Sequence, residues 1–155
     1  LDGMASRGQR LELPPGSRAM ETGGYKGRSR TLTRSELHGA IRECLGIGPE
    51  FIVSEYGMSE LSSQAYDGVA GATNEPRVFR LPPWARAVVV SAETGREVAE
   101  GEAGLLRLLD LANVGSVMAV QTADLAIRRG DGFELLGRAP ASEARGCSLR
   151  SADGD

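Results

Sequence analysis

A hydroxyl and a carboxylate lie side by side at Ser59 and Glu60, shortly after an apolar run. The run is Phe51-Ile52-Val53, and its apolar side chains predict a buried strand. A hydroxyl can hydrogen-bond a phosphate, while Mg²⁺ prefers carboxylate and phosphate oxygens as ligands. The sequence therefore predicts a phosphate and magnesium site at the end of this strand. The alternative is an ordinary helix start, because serine is a good N-cap residue.

Two further polar residues follow apolar runs later in the chain. Asp124 comes after the run 117–120, and a carboxylate can accept hydrogen bonds from two hydroxyl groups. Arg138 comes after the run 133–136, and a guanidinium can offset negative charge that builds up on a phosphate. An ordinary turn aspartate and a solvated arginine are the plainer alternatives at these two positions.

The segment 23–27 holds three glycines in five residues. Gly23, Gly24 and Gly27 leave the backbone free to approach a ligand closely. Lys26 can reach a phosphate as a point charge without fixed geometry. The glycine spacing is not that of a P-loop, and a flexible surface turn is the alternative interpretation.

Taken in chain order, these segments resemble the motifs of the adenylate-forming superfamily, which activates carboxylic acids with ATP. That superfamily carries Tyr-Gly-x-Thr-Glu, then Thr-Gly-Asp, then Gly-Arg at the end of its large domain. The corresponding segments here are 56–60, 122–124 and 137–138, with serine at position 59 and alanine at position 123. The segment 100–106 is similar to the superfamily's Gly-Glu-x-Gly-x-Leu strand entry. Segments 21–27 and 143–149 resemble LuxE-type acyl-protein synthetases, so the resemblance covers nearly the whole chain.

The resemblance implies how the first motif would handle ATP and Mg²⁺. Ser59 would bond the nucleotide's phosphate, and Glu60 would lie at the magnesium ion. Tyr56 would pack its ring against adenine or the acyl substrate. Gly57 would allow close approach of the backbone.

The resemblance also implies how the rest of the nucleotide is held. Gly23 and Gly24 would line the adenine pocket. Asp124 would bind both ribose hydroxyls, and Arg138 would contact ribose or phosphate. Because these residues are far apart in sequence, the interpretation requires Glu60, Asp124 and Arg138 to converge around one hollow of the size of ATP.

Cys147 distinguishes the LuxE-type enzymes from their relatives. In those enzymes a cysteine near the C-terminus takes the acyl group from the adenylate, and a reductase partner receives it next. Arg145 lies close to Cys147 in sequence and would favour the reactive thiolate. The resemblance thus makes Cys147, Glu60 and Arg138 the expected catalytic residues, while a chance surface cysteine is the alternative for Cys147.

The pattern of apolar runs predicts an α/β fold with two parts and a tail. Residues 1–67 are expected to form the C-terminal part of an α/β nucleotide-binding layer, and residues 68–140 a small antiparallel, barrel-like β subdomain. Residues 141–155 are expected to be a flexible tail that carries the acyl-accepting cysteine. A capping box at Thr33 predicts a helix to about Leu45, and Cys44 on its apolar face is expected in the core. The alternation of residues 10–13 predicts a strand, the runs 117–121 and 125–128 predict two separate strands, and the segment 129–132 predicts a hairpin turn.

Composition excludes several other functions. The net charge of −3 gives no electrostatic case for nucleic acid or an anionic membrane. No apolar run approaches the roughly 18 residues of a membrane span, and two cysteines are too few for a disulfide framework, so a cytoplasmic location is expected. The single histidine, His38, is expected to be a solvated helix residue, and it gives zinc or Ser-His-Asp chemistry little support.

The chain does not begin with methionine, and no Ser/Thr/Gly-rich phosphate loop precedes Gly23. We therefore expect the C-terminal portion of a longer enzyme. The chain also ends soon after Arg138 and has no lysine after Lys26, whereas most acyl-CoA synthetases continue into a domain with a catalytic lysine. Two alternatives stay open: a fragment of a phenylacetate-CoA-ligase-like acid–CoA ligase, and a non-catalytic remnant that binds nucleotide or a partner.

Overall fold

The computed structural model describes residues 1–22, 32–72 and 76–139. Predictions for Gly23, Gly24 and Cys147 fall outside these ranges. The described elements are listed here in chain order: α1 Asp2–Ala5, β1 Ala19–Glu21, α2 Arg34–Leu45, a 3₁₀ turn Pro49–Phe51, β2 Ile52–Tyr56, β3 Ala65–Tyr66, β4 Ala85–Val90, β5 Ala103–Asp110, β6 Ala119–Arg129 and β7 Gly132–Arg138. None of the described helices has the length and apolar composition to cross a membrane.

Local sequence signals set the ends of α2. The Thr33 hydroxyl accepts the Glu36 backbone N–H, and the Glu36 carboxylate accepts the Thr33 N–H at 2.7 Å, which completes the predicted capping box. Gly46 ends the helix in the left-handed conformation at a φ of 69°. The predicted helix is confirmed at both ends.

The α/β layer forms because α2 buries one apolar face against a short sheet. β1 pairs in parallel with β2, and β2 pairs antiparallel with β3. Leu37 and Ile41 of α2 pack with Ile47 and Ile52 in one buried cluster. Cys44 is buried on the same helix, as predicted. The strand expected at residues 10–13 is wrong, because that segment is exposed coil and the edge strand is Ala19–Glu21.

The second sheet is antiparallel, in the order β4-β5-β6-β7. Its inner face packs the larger apolar cluster, in which Phe133, Leu106 and Leu108 are completely buried. Two runs were expected as separate strands, 117–121 and 125–128, but one strand, β6, begins at Ala119 and continues through both. The predicted hairpin is confirmed, because Arg129 pairs with Gly132 across a turn in which Gly130 has a φ of 59°. The expected α/β layer followed by a curled antiparallel sheet is therefore the observed architecture.

Buried polar contacts lock β2 into this arrangement. Asp67 accepts the Ser54 backbone N–H at 2.7 Å and the Arg77 guanidinium at 3.1 Å. Arg77 also donates to the backbone carbonyls of Ile52 and Pro49, each at 3.0 Å. The strand that leads into Tyr56 is thus fixed by side chains far away in sequence.

Candidate functional site

An open hollow of about 790 Å³ lies where the two sheets meet α2. That volume is within the usual range of small-molecule sites. Its lining comes from the ends of β1 and β2, the start of α2, and β6 and β7: Glu21, Thr22, Leu32, Thr33, Arg34, Leu37, Ser54, Glu55, Tyr56, Gly57, Met58, Phe79, Asp124, Leu135, Gly137 and Arg138.

Tyr56 ends strand β2 of the α/β layer, and its side chain contacts the β subdomain at this hollow. Its ring packs edge-on against Phe79 and Phe133, with centroid distances of 6.1 and 5.4 Å. Its hydroxyl donates a hydrogen bond of 2.6 Å to Oδ2 of Asp124. The apolar half of the side chain is therefore held by the core, and its polar tip contacts a predicted ribose-binding residue.

Asp124 and Arg138 are direct partners across β6 and β7. From the hairpin pair Arg129–Gly132, an unbroken ladder would bring Gly137 opposite Asp124. The register shifts by one residue beyond the Ala126–Leu135 pair, so that Arg138 lies opposite instead. The Arg138 Nε atom is 3.4 Å from Oδ1 of Asp124. The bulge therefore brings the two predicted nucleotide residues together.

A second irregularity sets the position of the Asp124 backbone. Leu106 of β5 faces three residues of β6, because the register steps from Leu105–Leu125 to Arg107–Gln121. The Thr122 hydroxyl donates to the Leu106 carbonyl at 2.8 Å and accepts the Asp124 backbone N–H at 3.1 Å. Thr122 thus satisfies backbone groups that the bulge leaves without ladder partners.

The Tyr56 phenol is a stable hydrogen-bond donor at this site. Burial raises its pKa above the usual value, and the hydrogen bond to Asp124 and the Asp124 charge act in the same direction. Thr122 and Arg138 oppose this shift more weakly. The phenol consequently keeps its proton throughout the neutral pH range.

The structure brings Tyr56, Gly57, Asp124 and Arg138 to one hollow and leaves Ser59 and Glu60 outside its lining. The expected convergence is therefore found for Asp124 and Arg138 and not for Glu60. Both side chains are exposed, and the Ser59 hydroxyl donates to the Glu60 carboxylate at 3.2 Å. The reason is the anchoring of the loop that follows β2. Asn113 donates to the Glu60 carbonyl at 2.6 Å.

The same loop is anchored again two and three residues further along. Asp110, buried at the end of β5, accepts the Ser62 backbone N–H and the Ser63 hydroxyl, both at 3.0 Å. Trp84 donates to the Ser63 hydroxyl at 3.0 Å. The loop 59–63 is thereby held against the β subdomain and away from the hollow.

The described residues do not present a protein-held magnesium site at the hollow. Within residues 1–22, 32–72 and 76–139, no three side chains of histidine, cysteine, aspartate or glutamate gather closely enough to hold a metal ion. Glu60 as a magnesium ligand therefore stays a prediction.

Arg34 is a lining residue that the sequence patterns did not single out. Its guanidinium lies over the Phe79 ring, 5.6 Å from the centroid, and 3.9 Å from the Asp67 carboxylate. As the first residue of α2, it adds positive charge to the rim of the hollow. The only sequence signal was its place directly after the N-cap Thr33.

His38 is not the solvated helix residue that was expected. Its side chain is 12 % exposed, and its Nε2 atom is 3.5 Å from the Glu21 carboxylate. Burial lowers its pKa below the ordinary value, the Arg77 and Arg34 charges lower it further, and Glu21 opposes them. The expectation failed because α2 turns this position toward β1 rather than toward water.

The chain is similar in fold to solved structures of adenylate-forming enzymes. The chain aligns with a long-chain-fatty-acid-CoA ligase, FadD1 from Archaeoglobus fulgidus, with a TM-score of 0.60 and 13 % identity over 90 % of this chain and 32 % of that one. It aligns with McyG A-PCP complexed with phenylalanyl-adenylate at a TM-score of 0.57 and 15 % identity, over 88 % and 24 % of the two chains. An ATP-bound RpMatB–BxBclM chimera aligns at 0.50 and 18 % identity, over 67 % and 23 %.

These likenesses concern the fold of part of each enzyme. No protein-family model matches the chain, and no curated protein matches it by sequence. The chain spans about a third of the Archaeoglobus ligase and about a quarter of the other two structures. Its structural neighbours are adenylate-forming enzymes, and its two sheets correspond to the C-terminal part of their fold.

Proposed function

We propose that the protein containing this chain activates a carboxylic acid, expected to be a fatty acid, with ATP to give an acyl-adenylate and pyrophosphate. The observation that carries the proposal is the convergence of Tyr56, Asp124 and Arg138 on one hollow. The likeness to acid ligases in fold supports it.

In the proposed reaction, an oxygen of the substrate carboxylate attacks the α-phosphorus of ATP. A new P–O bond forms, the bond to the β-phosphate breaks, and pyrophosphate leaves. Asp124 holds the ribose by accepting hydrogen bonds from its hydroxyl groups. Arg138 is 66 % exposed, so its contact with Asp124 is weak enough for the guanidinium to turn toward a phosphate and offset the developing charge. Arg34 adds a second positive group at the rim.

Magnesium enters this proposal only as a companion of the ATP phosphates. The Glu60 carboxylate lies outside the lining of the hollow, and no step is routed through a metal ion held by the described residues.

For the second half-reaction we propose transfer to Cys147. Its thiolate attacks the acyl carbon, a C–S bond forms, and the bond to AMP breaks. A reductase partner would then consume the thioester. A cytoplasmic location, expected from the two cysteines, accords with a free thiol at this position.

A second acceptor is favoured by a specific comparison. The likeness to a long-chain-fatty-acid-CoA ligase, at a TM-score of 0.60, makes coenzyme A the competing acceptor. In that case the acyl group leaves as acyl-CoA and Cys147 is dispensable.

The experiment uses the full-length parent protein. Carboxylate-dependent exchange of pyrophosphate into ATP is expected with at least one acid of a broad panel, and exchange with none would refute acid activation. Labelled fatty acid should attach to the wild type and to Cys44→Ala, which alters a core cysteine, but not to Cys147→Ala. Equal labelling of both variants, with product release dependent on coenzyme A, would favour the CoA ligase.

A further inference from the structure

We infer that the Tyr56 hydroxyl is a positioning group that orients the Asp124 carboxylate to recognise a cis-diol. The inference rests on the proposed function and deepens it at the nucleotide site. It differs from the role that the resemblance implies for Tyr56, which is packing of the ring against adenine or the acyl group.

The first step is the geometry of the Tyr56 side chain. Its ring is held edge-on by Phe79 and Phe133, and the hydroxyl is fixed at 2.6 Å from Oδ2 of Asp124. A rigid aromatic side chain with one polar tip loses little conformational freedom when it holds a partner in place. The hydroxyl donates its proton to Asp124, so its action on the ligand runs through that carboxylate.

The second step counts the hydrogen-bonding capacity of Asp124. An ionised carboxylate has about four acceptor sites, two on each oxygen. Tyr56 uses one site on Oδ2, and Arg138 lies 3.4 Å from Oδ1 on the opposite side. Each oxygen therefore keeps a site for one further donor. Two neighbouring hydroxyl groups of a ribose match this pair of sites.

The third step is the burial of Asp124. Its side chain is 16 % exposed, yet it lines the hollow. Without the Tyr56 hydroxyl, one side of Oδ2 would face the aromatic cluster with no donor, which is unfavourable for a buried acceptor. The carboxylate would then gain by turning, and its two free sites would no longer face a diol together.

The test uses the 155-residue chain with AMP and 2′,3′-dideoxy-AMP as probes in calorimetric titrations. Tyr56→Phe keeps the ring and removes the hydroxyl, and Tyr66→Phe is the matched control at an exposed tyrosine outside the hollow. The wild type and the control should prefer AMP. Tyr56→Phe should bind AMP about tenfold more weakly, because the Asp124 carboxylate is no longer held to accept hydrogen bonds from both ribose hydroxyl groups, and should bind the dideoxy nucleotide unchanged.

A second readout separates positioning from general support of the fold. The phenol pKa of Tyr56, followed by ¹³C NMR of labelled tyrosine, should fall in Asp124→Asn, while that of Tyr66 should stay the same. Equal weakening for both nucleotides, or no weakening for either, would overturn the inference. No AMP binding by the wild type would overturn it together with the nucleotide site. Diol-selective AMP binding without acid-dependent exchange in the full-length protein would reject the proposed function and leave the role of Tyr56 standing.

Discussion

Asp67 offers the sharpest test of how the fold holds the strand that carries Tyr56. The residue is 2 % exposed and accepts hydrogen bonds from the Ser54 backbone and from Arg77. Asp67→Asn keeps the shape of the side chain and can still accept the Ser54 N–H. Its amide group would face the Arg77 guanidinium, donor against donor, and the buried pair would be broken.

The size of the effect follows from what Arg77 retains. Breaking a buried ion pair costs about 3–5 kcal/mol. Arg77 keeps its bonds to the Ile52 and Pro49 carbonyls, so we expect the lower end, about 3 kcal/mol. With typical urea dependences for small domains, the unfolding midpoint should fall by about 1–3 M urea.

The assay is urea unfolding of the 155-residue chain followed by circular dichroism. Asp131→Asn is the matched control, because Asp131 pairs with Arg80 at 3.5 Å with side chains 85 % and 58 % exposed. An exposed pair of this kind contributes less than about 1 kcal/mol. If the two variants shift the midpoint equally, the Asp67–Arg77 contact does not hold β2.

Three further predictions concern pH, packing and the bulge. His38 is the only histidine, and its pKa in the folded state is lowered from 6.5. Between the folded pKa and pH 6.5 the unfolded chain therefore binds more protons than the folded chain. The contribution of His38 to the free energy of unfolding should be full above about pH 6.5 and should be lost as the pH falls through the folded pKa. Between pH 7.5 and 5, the free energy of unfolding should depend less steeply on pH for His38→Gln than for the wild type. The same dependence in both proteins would contradict this prediction. Gly132→Ala should lower the free energy of unfolding by about 1–3 kcal/mol, because a Cβ at this position meets the Phe79 carbonyl and lies 2.7 Å from Val78 Cγ1. The control Gly115→Ala places its Cβ in open space and should change the free energy of unfolding, measured by thermal denaturation, by less than about 0.5 kcal/mol. Thr122→Val should cost about 1–2 kcal/mol in chemical unfolding and weaken AMP binding, because the Asp124 N–H loses its partner and the Leu106 carbonyl keeps only the Gln121 amide. Unchanged AMP binding would show that the bulge does not support the site.

Local features of this fold could be predicted from sequence because their causes are local. The capping box at Thr33, the left-handed Gly46 and the hairpin at Gly130 each depend on residues within one turn. The fold class followed from similar signals. A helix next to apolar runs indicated the α/β layer, and the evenly spaced short apolar runs that follow indicated the antiparallel sheet.

The arrangement of the site depends on contacts that no local pattern contains. The bulge that brings Arg138 opposite Asp124 follows from pairing between β6 and β7, and a one-residue slip exchanges the faces of a strand. The loop that carries Glu60 is anchored by Asn113, more than fifty residues later, which donates to the Glu60 carbonyl. The burial of His38 likewise depends on β1, which lies at residues 19–21. The sequence pattern indicated a strand at residues 10–13 instead.

A crystal structure of the full-length protein with AMP tests the central claim most directly. We predict that both ribose hydroxyl groups lie within hydrogen-bond distance of the Asp124 carboxylate, with the Tyr56 hydroxyl still bound to Oδ2. A nucleotide ordered elsewhere, while the space between Tyr56, Asp124 and Arg138 holds only solvent, would contradict the account.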